Sequence, residues 1–266
     1  VSGAQPPAGT PTSTSIGHPR VHLRRTGSTN ERARELAFAG APNGTLVTAS
    51  EQTAGRGRQG RRWSAPAGSS VLMSLLLRSP PPLLPLIAAV ALCDVADASS
   101  PAGEQARIKW PNDVVLDNVT VTGAGLAKLA GILVEGRPQE GWAVLGIGLN
   151  VAVRIEDLPA ELRSGSSERT ASSSGLPAAT LGLAPADVEA TLTRSIDALE
   201  RRLAEPAEAT LREWRARDAL RGREIEWAEG RGRADGIDGT GRLMVVLADG
   251  GRTALSAGEV HLRQIS

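Results

Sequence analysis

Between Gly44 and Asn150 the chain carries six short runs of strand length: Gly44–Ser50, Ser70–Leu77, Arg107–Lys109, Val114–Leu116, Ala130–Val134 and Trp142–Asn150. Helical stretches separate some of them, which predicts an α/β or α+β body. One helix is predicted over Arg32–Ala39, opened by Ser28-Thr29-Asn30-Glu31 with natural N-cap residues and ended by Gly40. The most apolar stretch, Leu83–Cys93, is too short to span a bilayer, and Asp94 and Asp97 follow it, so a buried helix is expected. Pro185 to Arg217 reads as two helices divided by Pro206, after a polar loop at 163–175.

Tyrosine is absent and phenylalanine occurs once, so the core must be aliphatic. At 266 residues the chain has room for one substantial domain, or for a main domain plus a small satellite, each with its own core. Beyond Asp218 the texture changes to short strands such as Leu243–Leu247, separated by turns at Gly239–Gly241 and Asp249–Gly251. These predict a small β-barrel over 219–266. Residues 1–20 are rich in Pro, Gly, Ser and Thr and read as a mobile tail without a secretory signal. That leaves 21–218 as the main domain and cytoplasm as the default compartment.

The 30 basic and 29 acidic residues nearly cancel, which argues against a globally basic nucleic-acid binder. A single cysteine, Cys93, excludes a disulfide framework and a Cys-rich zinc site. His18, His22 and His261 lie near the two ends, which disfavours a His-based triad or a multi-His metal centre.

The densest chemistry is the segment Glu51–Trp63, where Arg56, Arg58, Arg61 and Arg62 are interleaved with Gly55, Gly57 and Gly60. No acidic residue lies between Gln52 and Cys93. Glycine lets backbone N–H groups approach an anion, and arginine supplies bidentate donors, so this reads as a loop that closes over a polyphosphate. It has no GxxxxGK[ST] pattern, and the basic positions after Gly60 do not open a Rossmann helix. A solvated surface loop or a generic nucleic-acid patch is the plainer alternative, and Trp63 could either stack on a base or cap the core.

Of the 30 basic residues only Lys109 and Lys128 are lysine. Lys109 opens Lys109-Trp110-Pro111-Asn112-Asp113, and Lys128 opens Lys128-Leu129-Ala130-Gly131-Ile132-Leu133-Val134-Glu135. Both sit where a strand meets a loop. A chain that writes arginine almost everywhere else points to a need for a compact point charge there. Asn112 and Asp113 could bind a hydroxyl or magnesium, or form an ordinary turn. The glycines of Gly146-Ile147-Gly148-Leu149-Asn150 permit close approach of a ligand or mark a bulge.

In this order and spacing, Ser28-Thr29-Asn30, GRGRQGRRW at 55–63, KWPND at 109–113, KLAGILVE at 128–135 and GIGLN at 146–150 resemble the biotin protein ligases. The resemblance implies an α+β fold with a class II aminoacyl-tRNA synthetase-like catalytic domain. It also implies formation of biotinyl-5′-adenylate from biotin and ATP, then transfer to a lysine of a biotin carboxyl carrier domain. Ser28, Thr29, Asn30 and Gln52 would line the biotin head-group pocket, and Arg56, Gly57 and Arg58 would close over biotin and the adenylate. Arg61 and Trp63 would lie on the ATP side. Lys128 would hold the carboxylate or α-phosphate, and Lys109 would assist adenylation, with Asp113 and magnesium. Asn112, Asn150 and Arg263 would contact the nucleotide.

Gln59 stands where some members carry another basic residue, a change expected to be tolerated. The residues before Ser28 are too few and too polar for a helix-turn-helix domain, so a ligase without repressor function is expected. No nucleic-acid or membrane partner is expected. With so few lysines of its own, the chain is a poor target for self-modification. The competing readings are a lipoate-type ligase, a single-stranded nucleic-acid binder and a binding module without catalysis.

Overall fold

The computed structural model describes residues 16–99, 105–117, 125–137, 140–164, 176–256 and 260–262. The main sheet contains β1 (Arg20–Leu23), β2 (Leu46–Ala49), β3 (Ser70–Arg78), β4 (Arg107–Lys109), β5 (Asp113–Asp117), β6 (Leu126–Arg137) and β7 (Trp142–Asn150), with α1 (Thr29–Phe38) and α2 (Leu84–Ser99) inserted along the chain. Its spatial order is β1-β2-β3-β7-β6-β5-β4. Only β1 and β2 run parallel; the other neighbours are antiparallel.

Strand alternation gives the two faces different work. Val71, Met73, Leu75 and Leu77 of β3, with Ala143, Leu145, Ile147 and Leu149 of β7, join the main core around α2. That helix is buried continuously from Leu86 to Cys93 because α4 (Val188–Leu203) and α5 (Ala207–Ala216) pack against it as well. This explains why Leu83–Cys93 has no polar stripe in the sequence. On the opposite face, Val47, Leu76, Trp142 and Val144 pack against Ala33 and Ala37 of α1. The same alternation assigns Ser74, Gly146, Gly148 and Asn150 to that face.

After α5 the chain forms β8 (Glu224–Trp227), β9 (Gly230–Ile237), β10 (Leu243–Val246), β11 (Arg252–Leu255) and β12 (His261–Leu262), ordered β11-β10-β9-β8-β12. The expected barrel is, among the described residues, an open five-stranded sheet with no pairing between β11 and β12. Its apolar face has no core of its own: Ile225, Ala234, Ile237, Leu243 and Val245 belong to the same cluster as α2.

The expected tail also needs correction at its end. Ile16 is buried in the main core, Gly17 N–H donates to Gly44 O at 2.9 Å, and Arg20 opens β1. No helix among the described residues is long and apolar enough to cross a membrane.

Candidate active site

Three adjacent strands carry the two lysines and one carboxylate. Lys109 stands opposite Asp113 across β4 and β5, and Asp113 stands opposite Gly131 on β6. Val114 pairs with Ala130 but Val115 pairs with Lys128, which leaves Leu129 as a one-residue bulge. Leu129 and Ala130 both face the core, so Lys128 and Gly131 share the other face. In a regular strand Lys128 and Gly131, three positions apart, would point to opposite faces, and the bulge is what brings them to the same one.

Lys128 Nζ lies 2.8 Å from Asp113 Oδ1. Asp113 and Lys109 are 5% and 4% exposed, which makes their charges expensive unless paired. Burial opposes ionisation of Asp113, but Lys128, Lys109 and Arg61 outweigh it and hold the carboxyl below its ordinary range. Burial pulls the Lys109 ammonium down to about 8; Asp113 opposes this, while Lys128, Arg61 and Arg58 add to it. Burial also lowers the Arg58 and Arg61 guanidinium groups against the pull of Asp113. Four cations therefore surround one carboxylate, and the surplus positive charge makes the cavity a site for anions.

The arginine loop reaches this charge as a short hairpin. Trp63 N–H donates to Gly55 O at 3.0 Å and Gly57 N–H to Arg61 O at 2.8 Å, while Gln59 (φ 54°) and Gly60 (φ 75°) reverse the chain. Arg58 Nη1 lies 3.4 Å from Asn112 Oδ1, and Arg56 Nη2 lies 3.2 Å from Glu135 Oε1.

Trp63 lies over Gly131 and Gly148, which face each other across β6 and β7. A methyl group on Gly148 would collide with the indole, and one on Gly131 would come within 3.0 Å of it. Gly146 leaves space for Asn30 in the same way. These strand glycines therefore make room for the protein's own side chains, with no bulge between β3 and β7. Lys128 Nζ sits 5.8 Å from the Trp63 ring centre, and the indole N–H is buried without an acceptor among the described residues.

The opposite end of the cavity is a polar network on α1. Ser28 occupies the N-cap position without a side-chain capping bond; Gln52 Oε1 instead accepts Thr29 N–H at 2.7 Å and lies 3.1 Å from Thr29 Oγ1. Ser74 Oγ lies 2.8 Å from Thr29 Oγ1 and 2.5 Å from Asn30 Oδ1. Asn30 Nδ2 donates to Glu135 Oε2 at 2.9 Å. Sequence reasoning missed Ser74 and Glu135, which stand outside the cavity lining and hold Thr29 and Asn30 in place. Their signals were a lone hydroxyl inside the apolar run of β3 and an acid closing that of β6.

Every expected site residue that the structure describes lines this one cavity, from Ser28 at the N-cap of α1 to Asn150 at the end of β7. Arg263 lies outside the described residues. Two asparagines are already committed to the framework. Asn112 Nδ2 donates to Ile132 O at 2.9 Å, and Asn150 Nδ2 donates to Ala179 O at 2.8 Å. Residues 177–179 in turn grip Lys128 through Lys128 N–H to Pro177 O and Ala179 N–H to Lys128 O, both 2.7 Å. As a magnesium ligand Asp113 does not fit: its carboxylate is engaged by Lys128, and no group of three metal-binding side chains exists among the described residues.

Residues 22–151 match the model of the Biotin/lipoate A/B protein ligase family. The chain is 40% identical over 156 residues to the bifunctional ligase/repressor BirA of Bacillus spizizenii, covering 56% of this chain but only 45% of that protein. Against the biotin--[acetyl-CoA-carboxylase] ligase of Mycobacterium tuberculosis it is 34% identical over 259 residues, covering 91% of this chain and 88% of the relative. The fold is similar to that of the Aquifex aeolicus biotin protein ligase in complex with biotin and ATP, with TM-score 0.72 and 23% identity over 92% of this chain and 99% of that one.

Proposed function

The chain belongs to the biotin protein ligase family, and from that membership we propose that it activates biotin with ATP and transfers the biotinyl group to a lysine of a biotin carboxyl carrier domain. The observation that carries this reading is the placing of the only two lysines on either side of Asp113, beside Arg58 and Arg61, in one cavity.

In the first step a biotin carboxylate oxygen bonds to the α-phosphorus of ATP, the bond to the β-phosphate oxygen breaks, and pyrophosphate leaves. Both reactants are anions, so the protein's task is positioning and charge neutralisation. Thr29, Asn30 and Gln52, with Ser74 behind them holding Thr29 and Asn30, offer the donors and acceptors that a buried ureido group requires. Lys128 lies where it can hold the carboxylate end, with Lys109, Arg58 and Arg61 facing the α-phosphate. The buried, unpartnered Trp63 N–H is a donor for an acceptor atom of the substrate. In the second step the carrier's lysine nitrogen bonds to the acyl carbon, the bond to the AMP phosphate breaks, and the amine's surplus proton passes to solvent.

Because no site among the described residues fits a resident metal, magnesium is assigned to the nucleotide. The same reading places the reaction in the cytoplasm, where ATP is held, and assigns 21–218 to a class II synthetase-like catalytic unit and 219–266 to a second unit. Biotin-dependent exchange of labelled pyrophosphate into ATP tests the activation step. Exchange with biotin is the expected result; exchange with lipoate alone, or none, would overturn the reading.

A further inference from the structure

Lys109 is held on both sides by residues that follow α5. On one side, Ile108 N–H donates to Arg217 O at 2.7 Å and Ala219 N–H donates to Ile108 O at 2.9 Å. On the other, the Trp110 indole N–H donates to Gly241 O at 3.1 Å, in the turn between β9 and β10. Strand β4 has three residues and lies at the end of the main sheet, so the 217–219 segment takes the place of a neighbouring strand. A brace also reaches the residue before it. Asp97 accepts Ala106 N–H at 2.7 Å and Arg217 Nη1 at 2.6 Å, and the same Nη1 donates to Ala106 O at 3.2 Å. Asp97, Trp110, Arg217 and Gly241 are all outside the lining of the active-site cavity.

We propose that Trp110 and Arg217 are positioning residues that fix β4, and with it Lys109, for adenylate formation, so that the segment closing α5 and the β9–β10 turn of the C-terminal sheet each act on the rate of that step. The inference rests on the ligase reading of the cavity. Lys109 is a point charge on a flexible stem, and its reach is set by where its strand lies. A three-residue strand braced only on its β5 side would leave that position loose, and charge stabilisation depends on placement to within about an ångström. The groups facing Lys109 are Asp113 on β5, Lys128 on β6, and Arg58 and Arg61 of the loop.

The test is steady-state pyrophosphate exchange by the full chain and its Trp110→Phe and Arg217→Lys variants, with Arg202→Lys as control. Arg202 belongs to the neighbouring ion cluster, through Asp94 at 2.8 Å and 3.0 Å, but makes no bond to β4. Expected is a fall of about tenfold in kcat for either positioning variant, with the KM for biotin within about twofold of wild type. The basic limb of the kcat–pH profile should also move up from about 8 as water reaches Lys109, and Arg202→Lys should change neither. Trp110→Phe empties part of a buried site; if it fails to fold, Arg217→Lys, whose side chain is 16% exposed, decides alone. An unchanged kcat and pH limb in a folded positioning variant, or an equal loss in Arg202→Lys, overturns the proposal. Absence of biotin-dependent exchange in the wild type overturns the ligase reading instead, and the inference with it.

Discussion

Asp113 binds together a cluster that its own neighbours would otherwise repel. Lys109, Lys128, Arg58 and Arg61 are brought close around its carboxylate, and it keeps their charges in place until an anionic substrate arrives. The lysines are not interchangeable with arginine there. Lys128→Arg should fold normally but lose at least about a hundredfold in activity, because a planar fork cannot fit both Asp113 and the space beneath Trp63. Near wild-type turnover would refute the importance of the point charge.

Lys109 gives a pH signature. In the proposed mechanism its charged form stabilises the reacting phosphate; burial has lowered its pKa to about 8, so kcat for pyrophosphate exchange should fall as pH rises through that value. Lys109→Gln should leave a low rate that is flat over the same range. A wild-type profile still flat at pH 10 would contradict the role. Both lysines were legible in the sequence because arginine is written almost everywhere else. Ser74 and Glu135 were not, since one hydroxyl in an apolar strand and one acid at a strand end have many uses.

Among the elements, β6 and β7 carry the most functional information. Trp142–Asn150 was readable as a strand because it is apolar throughout, and β7 has those bounds. The expected Ala130–Val134 run proved to be only the middle of β6, which spans Leu126–Arg137. The bulge at Leu129 and the glycine at 131 break the two-residue period that marks a strand, and they are also what bring Lys128 and Trp63 together. Strand β1 escaped notice because Arg20-Val21-His22-Leu23 is short and half-exposed, and its partner β2 follows only after α1.

The glycine shelf under Trp63 makes an element-scale prediction. Gly148→Ala should push the indole off β7 and raise the KM for ATP, the substrate on whose side Trp63 is placed, by about tenfold or more, with the sheet still formed. ATP titrations followed by tryptophan fluorescence would report it. Unchanged affinity with an unmoved emission spectrum would show that the shelf has no part in binding.

At the scale of the whole molecule, the sequence suggested a satellite domain with its own core, but the two sheets share one. Leu243 and Val245 of β10 belong to the same apolar cluster as Val90 and Leu92 of α2. Glycine-rich turns reveal where strands end, not against what they pack, so this sharing was invisible in the chain's texture. One consequence is that heating should unfold the chain in a single calorimetric transition. Leu243→Ala, at a position with no exposed surface, should lower that same transition, at a cost of about 2–5 kcal/mol. Two separated transitions, with only the smaller one moved by the substitution, would contradict the shared core.

The most direct measurement of the central claim is transfer itself. The chain is incubated with labelled biotin, ATP, magnesium and a biotin-accepting carrier domain, and the carrier is then examined for label on its lysine. The expected result is label that requires ATP and is lost in Lys128→Arg. A carrier that stays unlabelled, or one that takes lipoate in place of biotin, would contradict the assignment.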